Sequence, residues 1–409
     1  METSLAARAV ITTAGIGIQG LARFGYTVAI GRILGPEALS DVSSVLSLAV
    51  FLALAWPSGA AIAASRYLPI DADGTARSRI SKDAVIGIAV LAIAAAPIAW
   101  VMTNDAATVV GAVALTATYG GYVFVRGAMM GQHRIIAATV LDAVTSALAM
   151  GALVAVLLGS MTPLVLAPLA MGYGVFAIVG WPRTSTATTQ GSRVSTGALR
   201  RFIVHTSLAS VATGGLLPVT MLAVQLTDTQ FAAGLFAAGL SLATPASLVS
   251  QAINQVLVPH FAVVAERGPA ALRSAHLRAF LMTSAVFAVV FGAIIALAPV
   301  VLGVVYGEQY VDGAPAMQAL LVFVLLISCM AAPSALLLVS GRERWYARIW
   351  SVAFVAGALT MLVASPMLGM AGAILGYGVG AGSGAISVIV AALVVARRDE
   401  RSVTVGEPQ

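Results

Sequence analysis

Twelve long apolar runs constrain the fold of this chain more than any other feature. A helix needs about 20 apolar residues to cross the hydrocarbon core of a bilayer, and each run is of about that length or longer. Only 9% of the 409 residues are charged, whereas soluble domains contain about 25%, so a soluble core of this size could not be covered. The runs lie at 9–33, 38–66, 83–103, 106–130, 136–158, 161–181, 201–225, 230–259, 279–305, 314–339, 346–366 and 369–396.

Helices are favoured over strands, because a lipid-exposed strand edge leaves backbone groups unsatisfied and the alternating pattern of a membrane barrel is absent. The sequence therefore predicts an all-α polytopic membrane protein with about 12 transmembrane helices. The mean hydropathy of +0.98 agrees with this class.

Basic residues collect in every second loop, and this alternation predicts the topology. Loops on the other side carry mainly acidic residues. Basic loops of multi-pass proteins stay in the cytoplasm, so both termini are predicted to be cytoplasmic, with the chain in the cell (inner or plasma) membrane. The basic residues concerned are Arg77, Arg79, Lys82, Arg134, Arg183, Arg193, Arg200, Arg201, Arg267, Arg273, Arg278, Arg342, Arg344, Arg348, Arg397, Arg398 and Arg401.

The longest polar stretch divides the apolar runs into six and six. It spans 182–200 and is rich in Ser, Thr and Arg, which is typical of a flexible linker. The tetrapeptide LSLA occurs at 46–49 in the second run and again at 240–243 in the eighth. We therefore expect two six-helix lobes, 1–181 and 201–409, with a central cavity and a short cytoplasmic tail.

Arg23 is the most informative charged residue, because charges inside a membrane are costly and rarely accidental. It lies 14 residues into the first run, about 21 Å along a helix. One interpretation is an anion-binding group that faces the cavity. The other is an arginine satisfied by backbone carbonyls or by an acid of another helix. Gln19 and Tyr26 lie four residues before and three residues after Arg23, so they share its face.

Arg126 and Asp142 flank one loop at nearly equal distances. On adjacent antiparallel helices this spacing places them at the same depth. They are predicted to form a structural ion pair or to line the cytoplasmic mouth of the cavity, and the two interpretations are compatible.

The eighth run carries a polar face in an otherwise apolar helix. Thr244, Ser247, Gln251 and Asn254 follow helical spacing and should face a wet cavity or form interhelical hydrogen bonds. Their donors and acceptors would suit sugar hydroxyls.

No cofactor, metal site, nucleic-acid site or catalytic group is predicted. The segment GIGIQG at 15–20 matches the dinucleotide fingerprint, yet it lies inside a membrane helix instead of between a strand and a helix. A Walker A motif is absent, and Lys82 is the only lysine. The four histidines lack metal-ligand spacing.

Four short segments, spread along nearly the whole chain, carry a family resemblance. They are GRILGPE at 31–37, AGLFAA at 233–238, YGEQY at 306–310 and SPMLGMAGA at 365–373. By these segments the chain resembles the polysaccharide flippases, such as O-antigen flippases, of the multidrug/oligosaccharidyl-lipid/polysaccharide (MOP) exporter superfamily.

The resemblance implies a transporter without enzymatic activity. It would move a polyprenyl-diphosphate-linked oligosaccharide from the cytoplasmic to the outer leaflet by alternating access, for cell-surface polysaccharide biosynthesis. Arginines of the cavity would bind the diphosphate, with Arg23 the first candidate and Arg126 the second. Glycan polymerases or glycosyltransferases of the same pathway would be partners.

Two other functions are considered. A cation-coupled multidrug exporter of the same superfamily would use a membrane acid, and Asp142 is the only acid well inside a run. A polytopic glycan polymerase or ligase would need a sizeable outer loop, whereas the predicted outer loops are only a few residues long.

Overall fold

The computed structural model describes residues 5–71, 74–182 and 196–404, with side chains except at 5–13, 16, 244–252, 254–256, 259 and 396–404. Every regular element in these ranges is helical, so the predicted all-α class is confirmed. Most of the predicted linker, residues 183–195 with Arg183 and Arg193, lies outside the described residues.

Contacts between helices divide the chain into two compact units, Met1–Gly234 and Leu235–Gln409. The first contains α1 (Leu5–Leu34), α2 (Pro36–Ala55), α3 (Pro57–Tyr67), α4 (Thr75–Thr103), α5 (Ala106–Gly131), α6 (Ile135–Leu158), α7 (Ala167–Gly180), α8 (Thr196–Gly214), α9 (Leu216–Thr227) and the start of α10 (Gln230–Ala265). The second contains the rest of α10, α11 (Pro269–Ala296), α12 (Ala298–Val305), α13 (Ala314–Cys329), α14 (Ala331–Val339), α15 (Glu343–Leu368), α16 (Met370–Tyr377) and α17 (Ser383–Thr404). The predicted lobe boundaries, 1–181 and 201–409, stay predictions.

The helices follow the twelve predicted spans. Among the described residues, nine helical segments are long and apolar enough to cross a membrane, and the pair α8–α9, bent by 62°, makes a tenth. Helices α1 and α10 correspond to the first and eighth runs. These apolar helical segments agree with the predicted class of polytopic membrane protein.

Several predicted spans consist of two helices, and prolines explain the breaks. A proline has no backbone N–H, so the carbonyl four residues earlier loses its helical hydrogen bond. Trp56 leaves the helical region at φ −143° and ψ −51°, directly before Pro57. The other breaks lie at Gly215 before Pro218, at Leu297 before Pro299, and at Met330 before Pro333. Hydropathy does not reveal such breaks, because both pieces are apolar.

Helices α4 and α11 begin earlier than the apolar runs predict. Helix α4 starts at Thr75, after Gly74 with φ 72°, and the Asp71 carboxylate accepts hydrogen bonds from the N–H groups of Ala76 and Arg77 at 3.1 and 2.8 Å. In such a helix the first turns are polar and precede the apolar segment. Hydropathy detects only the apolar segment, so it places the start of the helix too late.

The same helix-ending turn occurs once in each unit, after α5 in the first and after α14 in the second. The N–H groups of His133 and Arg134 donate to carbonyls in the last turn of α5, and those of Gly341 and Arg342 do the same at the end of α14. This turn needs one residue with positive φ, and it is His133 (57°) in one unit and Gly341 (68°) in the other. A side chain in this conformation costs about 1–2 kcal/mol, which glycine avoids.

Helices α3 and α5 approach closely because α5 presents glycines to α3. A Cβ added at Gly127 would lie 2.7 Å from the backbone oxygen of Ala61, and one at Gly131 would lie 2.6 Å from that of Ala64. The spacing of four residues places both glycines on one face, as in close helix pairs of membranes.

Replacing Gly127 with valine is therefore expected to destabilise the first unit by about 1–3 kcal/mol, because the added methyl groups push α3 and α5 apart. Gly151→Val is the matched control, since a Cβ there meets nothing within 4 Å. The melting temperatures of both variants in detergent test this. Equal melting temperatures would show that α3 and α5 accommodate the added methyl groups without loss of stability.

Candidate functional site

Arg23 lies in a crevice formed by α1, α6 and α7 of the first unit. Its side chain is half-buried, 11 residues before the end of α1, which is about 16 Å along the helix. The crevice has room for about one water molecule. Its lining consists of Gln19, Ala22, Arg23, Tyr26, Thr145, Ser146, Ala149, Met150, Leu169, Gly172 and Tyr173.

Small residues explain why the crevice is narrow. A Cβ added at Gly172 would lie 3.0 Å from the Cβ of Ala149 and 3.0 Å from the backbone oxygen of Thr145. Helix α7 can therefore approach α6 closely, and the space in front of Arg23 is bounded by backbone as well as side chains.

Arg23 has no ion-pair partner in the described part of the chain. The two ion pairs there join Arg126 to Asp142 and Arg200 to Asp83. The Arg23 guanidinium therefore carries a formal positive charge that no ion pair of the described residues balances, in the helix of the first apolar run, where charge is costly.

Gln19 and Tyr26 lie in the same crevice, as their spacing predicts, but their polar groups have partners. The Gln19 Nε2 donates to the backbone oxygen of Asp142 at 3.5 Å, and the Tyr26 hydroxyl donates to the backbone oxygen of Val165. In this arrangement both side chains connect α1 to neighbouring segments.

The structure brings Arg126 and Asp142 together at one depth. The Arg126 Nε lies 3.1 Å from the Asp142 Oδ2, and the Tyr122 hydroxyl donates to Oδ1 at 3.2 Å. The Asp142 side chain is 0% exposed and that of Arg126 is 15% exposed. Both carboxylate oxygens thus have donors, which a buried carboxylate requires.

Gly15 makes room for this pair. A Cβ at Gly15 would lie 2.8 Å from Oδ2 of Asp142 and 3.4 Å from Nη2 of Arg126. The first glycine of the segment at 15–20 therefore lets α1 pass over a buried ion pair, which accounts for it without a nucleotide.

Aromatic side chains connect the ion pair to the Arg23 crevice. The Tyr122 ring centroid lies 5.0 Å from that of Tyr173, and Tyr173 in turn lies 5.0 Å from Tyr119. The sequence analysis did not include this cluster. Its only sequence signal is the spacing of Tyr119, Tyr122 and Arg126, which places the three on one face of α5.

The polar face predicted in the eighth span is not tested. Ser247, Gln251 and Asn254 lie in α10, and their side chains are outside those that the structure describes. Their predicted contact with sugar hydroxyls stays a prediction.

A second ion pair joins α4 to α8. The Arg200 Nη2 and Nε lie 2.9 and 3.2 Å from the two Asp83 oxygens, and the Trp56 Nε1 donates to the Asp83 backbone oxygen at 2.9 Å. The end of the first unit that contains Arg77, Arg134 and Arg200 is here called the arginine-rich end. In the described residues, no cluster of three His, Cys, Asp or Glu could hold a metal ion.

Comparisons with known proteins identify the family. A family model described as polysaccharide biosynthesis protein matches residues 82–315, more than half of the chain. The matched range includes Tyr122, Arg126, Asp142 and Tyr173, and it begins after Arg23. No curated protein matches the sequence.

Solved structures share the fold. An inward-facing multidrug resistance MATE family transporter of the MOP superfamily is 17% identical, with a TM-score of 0.72 over 96% of this chain and 99% of that chain. An outward-facing structure of such a transporter is 15% identical (TM-score 0.56, 96% and 95% covered). A MOP superfamily transporter from Pyrococcus furiosus, noted for the reverse polarity of its binding pocket, is 16% identical (TM-score 0.58, 96% and 95% covered). The chain thus has the fold of the MOP superfamily transporters, and it belongs to the polysaccharide biosynthesis protein family.

Proposed function

We propose that this membrane protein moves a polyprenyl-diphosphate-linked oligosaccharide from the cytoplasmic to the outer leaflet by alternating access. The observation that carries the proposal is Arg23, a cation at membrane depth that has no ion-pair partner in the described part of a chain from a polysaccharide biosynthesis family.

The chemistry of a guanidinium supports a phosphate ligand. Its planar fork donates two parallel hydrogen bonds to phosphate oxygens, and such charge-assisted bonds are about twice as strong as neutral ones. A bound diphosphate would supply the negative charge that balances Arg23. The crevice is too narrow for this ligand as it stands, so α7 would have to move away from α6 when the headgroup binds.

Arg126 is the second candidate ligand, and its geometry limits that role. Its Nε is engaged by Asp142. The Asp142 carboxylate already balances the charge of Arg126, so we propose that Arg23 binds the diphosphate first. Ser247, Gln251 and Asn254 stay the proposed contacts of the glycan.

A cation-coupled drug exporter is the second candidate, because structurally similar proteins are multidrug resistance transporters and Asp142 is a buried acid. The contacts of Asp142 oppose this role. Both of its oxygens accept hydrogen bonds, from Arg126 and Tyr122, so a coupling cation would have to displace an arginine.

Deleting this protein from its host is expected to cause accumulation of one polyprenyl-diphosphate oligosaccharide, because the lipid continues to be made on the cytoplasmic side and is not moved. Mass spectrometry of lipid extracts from the deletion strain and its parent measures this, and re-expression of the wild-type protein is the control. An unchanged lipid-linked pool together with increased sensitivity to cationic drugs would contradict the flippase proposal and favour the exporter.

A further inference from the structure

A second cavity lies at the arginine-rich end of the first unit, away from the Arg23 crevice. Its volume is about 620 Å³, and it shares no lining residue with the crevice. Along α6, the distance from Arg134 to Thr145 is about 16 Å. The cavity is lined by Leu68, Pro69, Arg77, Gly131, Gln132, His133, Arg134, Val179 and Trp181.

The polar side of this cavity is basic. Donors come from Arg77 in the first turn of α4 and from His133 and Arg134 in the turn between α5 and α6. No carboxylate is among the described lining residues. The described lining therefore has the donors that a phosphate group needs.

The other side of the cavity is apolar and faces outward. Val179 is 61% exposed, and its neighbour Ile178 is 79% exposed, as is typical of side chains that contact lipid. Trp181 completes this side, and tryptophan is enriched where the membrane meets water. The cavity thus combines a basic part with an apolar rim at the interface.

His133 has a positive φ of 57°, a backbone conformation in which glycine would be more stable. At the equivalent turn of the second unit the positive-φ residue is Gly341. Residues held in unfavourable backbone conformations cluster at functional sites. Here the imidazole lines the cavity beside Arg134.

We propose that this cavity binds the phosphate of an anionic membrane lipid in the leaflet at the arginine-rich end, which the positive-inside rule assigns to the cytoplasm. The guanidinium groups of Arg77 and Arg134 hold the phosphate with the His133 imidazole beside them, and an acyl chain leaves along Val179. A phospholipid headgroup and a polyprenyl diphosphate share this chemistry. If the bound lipid is a phospholipid, the site does not depend on the proposed flippase function.

The test is native mass spectrometry of the full chain in detergent, titrated with phosphatidylglycerol, phosphatidylcholine or a polyprenyl diphosphate. We compare wild type with His133→Gly, Arg134→Gln and the double variant. Glycine suits the turn, so His133→Gly is expected to melt at or above the wild-type temperature, and weaker lipid binding would not reflect unfolding. Arg201→Gln is the control, because it removes one positive charge from an exposed residue of α8 outside the cavity.

We expect the double variant to bind phosphatidylglycerol at least about tenfold more weakly than wild type, with Arg201→Gln unchanged. Loss of polyprenyl diphosphate binding alone would also support the site and identify the substrate headgroup as its ligand. Wild-type binding of both lipids by the double variant would overturn the proposal. So would an equal loss in Arg201→Gln, because it would show non-specific attraction to basic charge.

Discussion

Replacing Arg23 with alanine is expected to lower the rate of lipid flipping by about 10–100-fold and to leave the melting temperature nearly unchanged. A hydrogen bond to a charged group contributes about 1.5–3 kcal/mol, and each 1.4 kcal/mol corresponds to about a factor of ten. Arg23 is absent from both ion pairs in the described part of the chain, so its removal leaves no buried carboxylate alone. Function and stability should therefore separate at this residue.

Flipping by the Arg23 variants is best measured in proteoliposomes with a fluorescent polyprenyl-diphosphate oligosaccharide. Arg23→Lys keeps the charge and loses the planar fork, so partial activity would show that a point charge suffices. Arg32→Ala provides the control, because Arg32 is an exposed arginine near the end of the same helix. Normal flipping by well-folded Arg23→Ala would refute the anion-site proposal.

Much of the fold follows from hydropathy alone, because the bilayer sets the length of each span. Each apolar run corresponds to one helix or to a pair of successive helices of the described chain. The breaks at Gly215 and Leu297 were not predicted. Their position depends on how a proline and its neighbours repack, and average hydropathy contains no information on that.

The candidate site was partly predictable, for a geometric reason. Arg126 and Asp142 lie at similar distances from one tight turn, so antiparallel helices had to bring them to one depth. Tyr122, which completes the partners of the carboxylate, and Tyr173, which links the pair to Arg23, were missed. Tyr122 shares a helix face with Arg126, but Tyr173 lies in another apolar run, where no spacing relates it to either residue.

The basic cavity at the arginine-rich end shows why loops are harder to interpret than helices. Arg77 and Arg134 were assigned to topology only, because they lie 57 positions apart in separate loops. The structure places both on one cavity with His133. A positive-inside pattern therefore predicts which side of the membrane a loop faces, but it does not reveal whether two loops form a site.

The flippase and exporter proposals differ most in what they require of Asp142. In a flippase it serves to neutralise Arg126, and any group that keeps the helices packed could replace the pair. In a cation-coupled exporter its carboxylate must itself exchange a cation during each cycle. The same residue thus allows stability and transport to be tested separately.

Replacing Asp142 with alanine is expected to destabilise the first unit by about 3–5 kcal/mol, because it removes the carboxylate that pairs with the largely buried Arg126 guanidinium. For a unit of this size, that corresponds to a fall of at least about 6 °C in melting temperature. Thermal unfolding in detergent measures the change, with Glu37→Ala as the control, because this acid is exposed in the first turn of α2 and belongs to neither ion pair. An unchanged melting temperature would show that the pair contributes little to stability.

The double variant Arg126→Met/Asp142→Leu is expected to recover most of this loss, because an apolar pair of similar volume often replaces a buried ion pair at little cost. If the pair is structural, the double variant also flips lipid at a rate within about threefold of wild type. Recovered stability without transport would instead show that Arg126 or Asp142 takes part in the cycle. Flipping by Asp142→Leu and Arg126→Met, each measured separately and normalised to folded protein, then identifies which charge is needed. A requirement for Asp142 favours cation coupling, whereas a requirement for Arg126 favours a second phosphate contact.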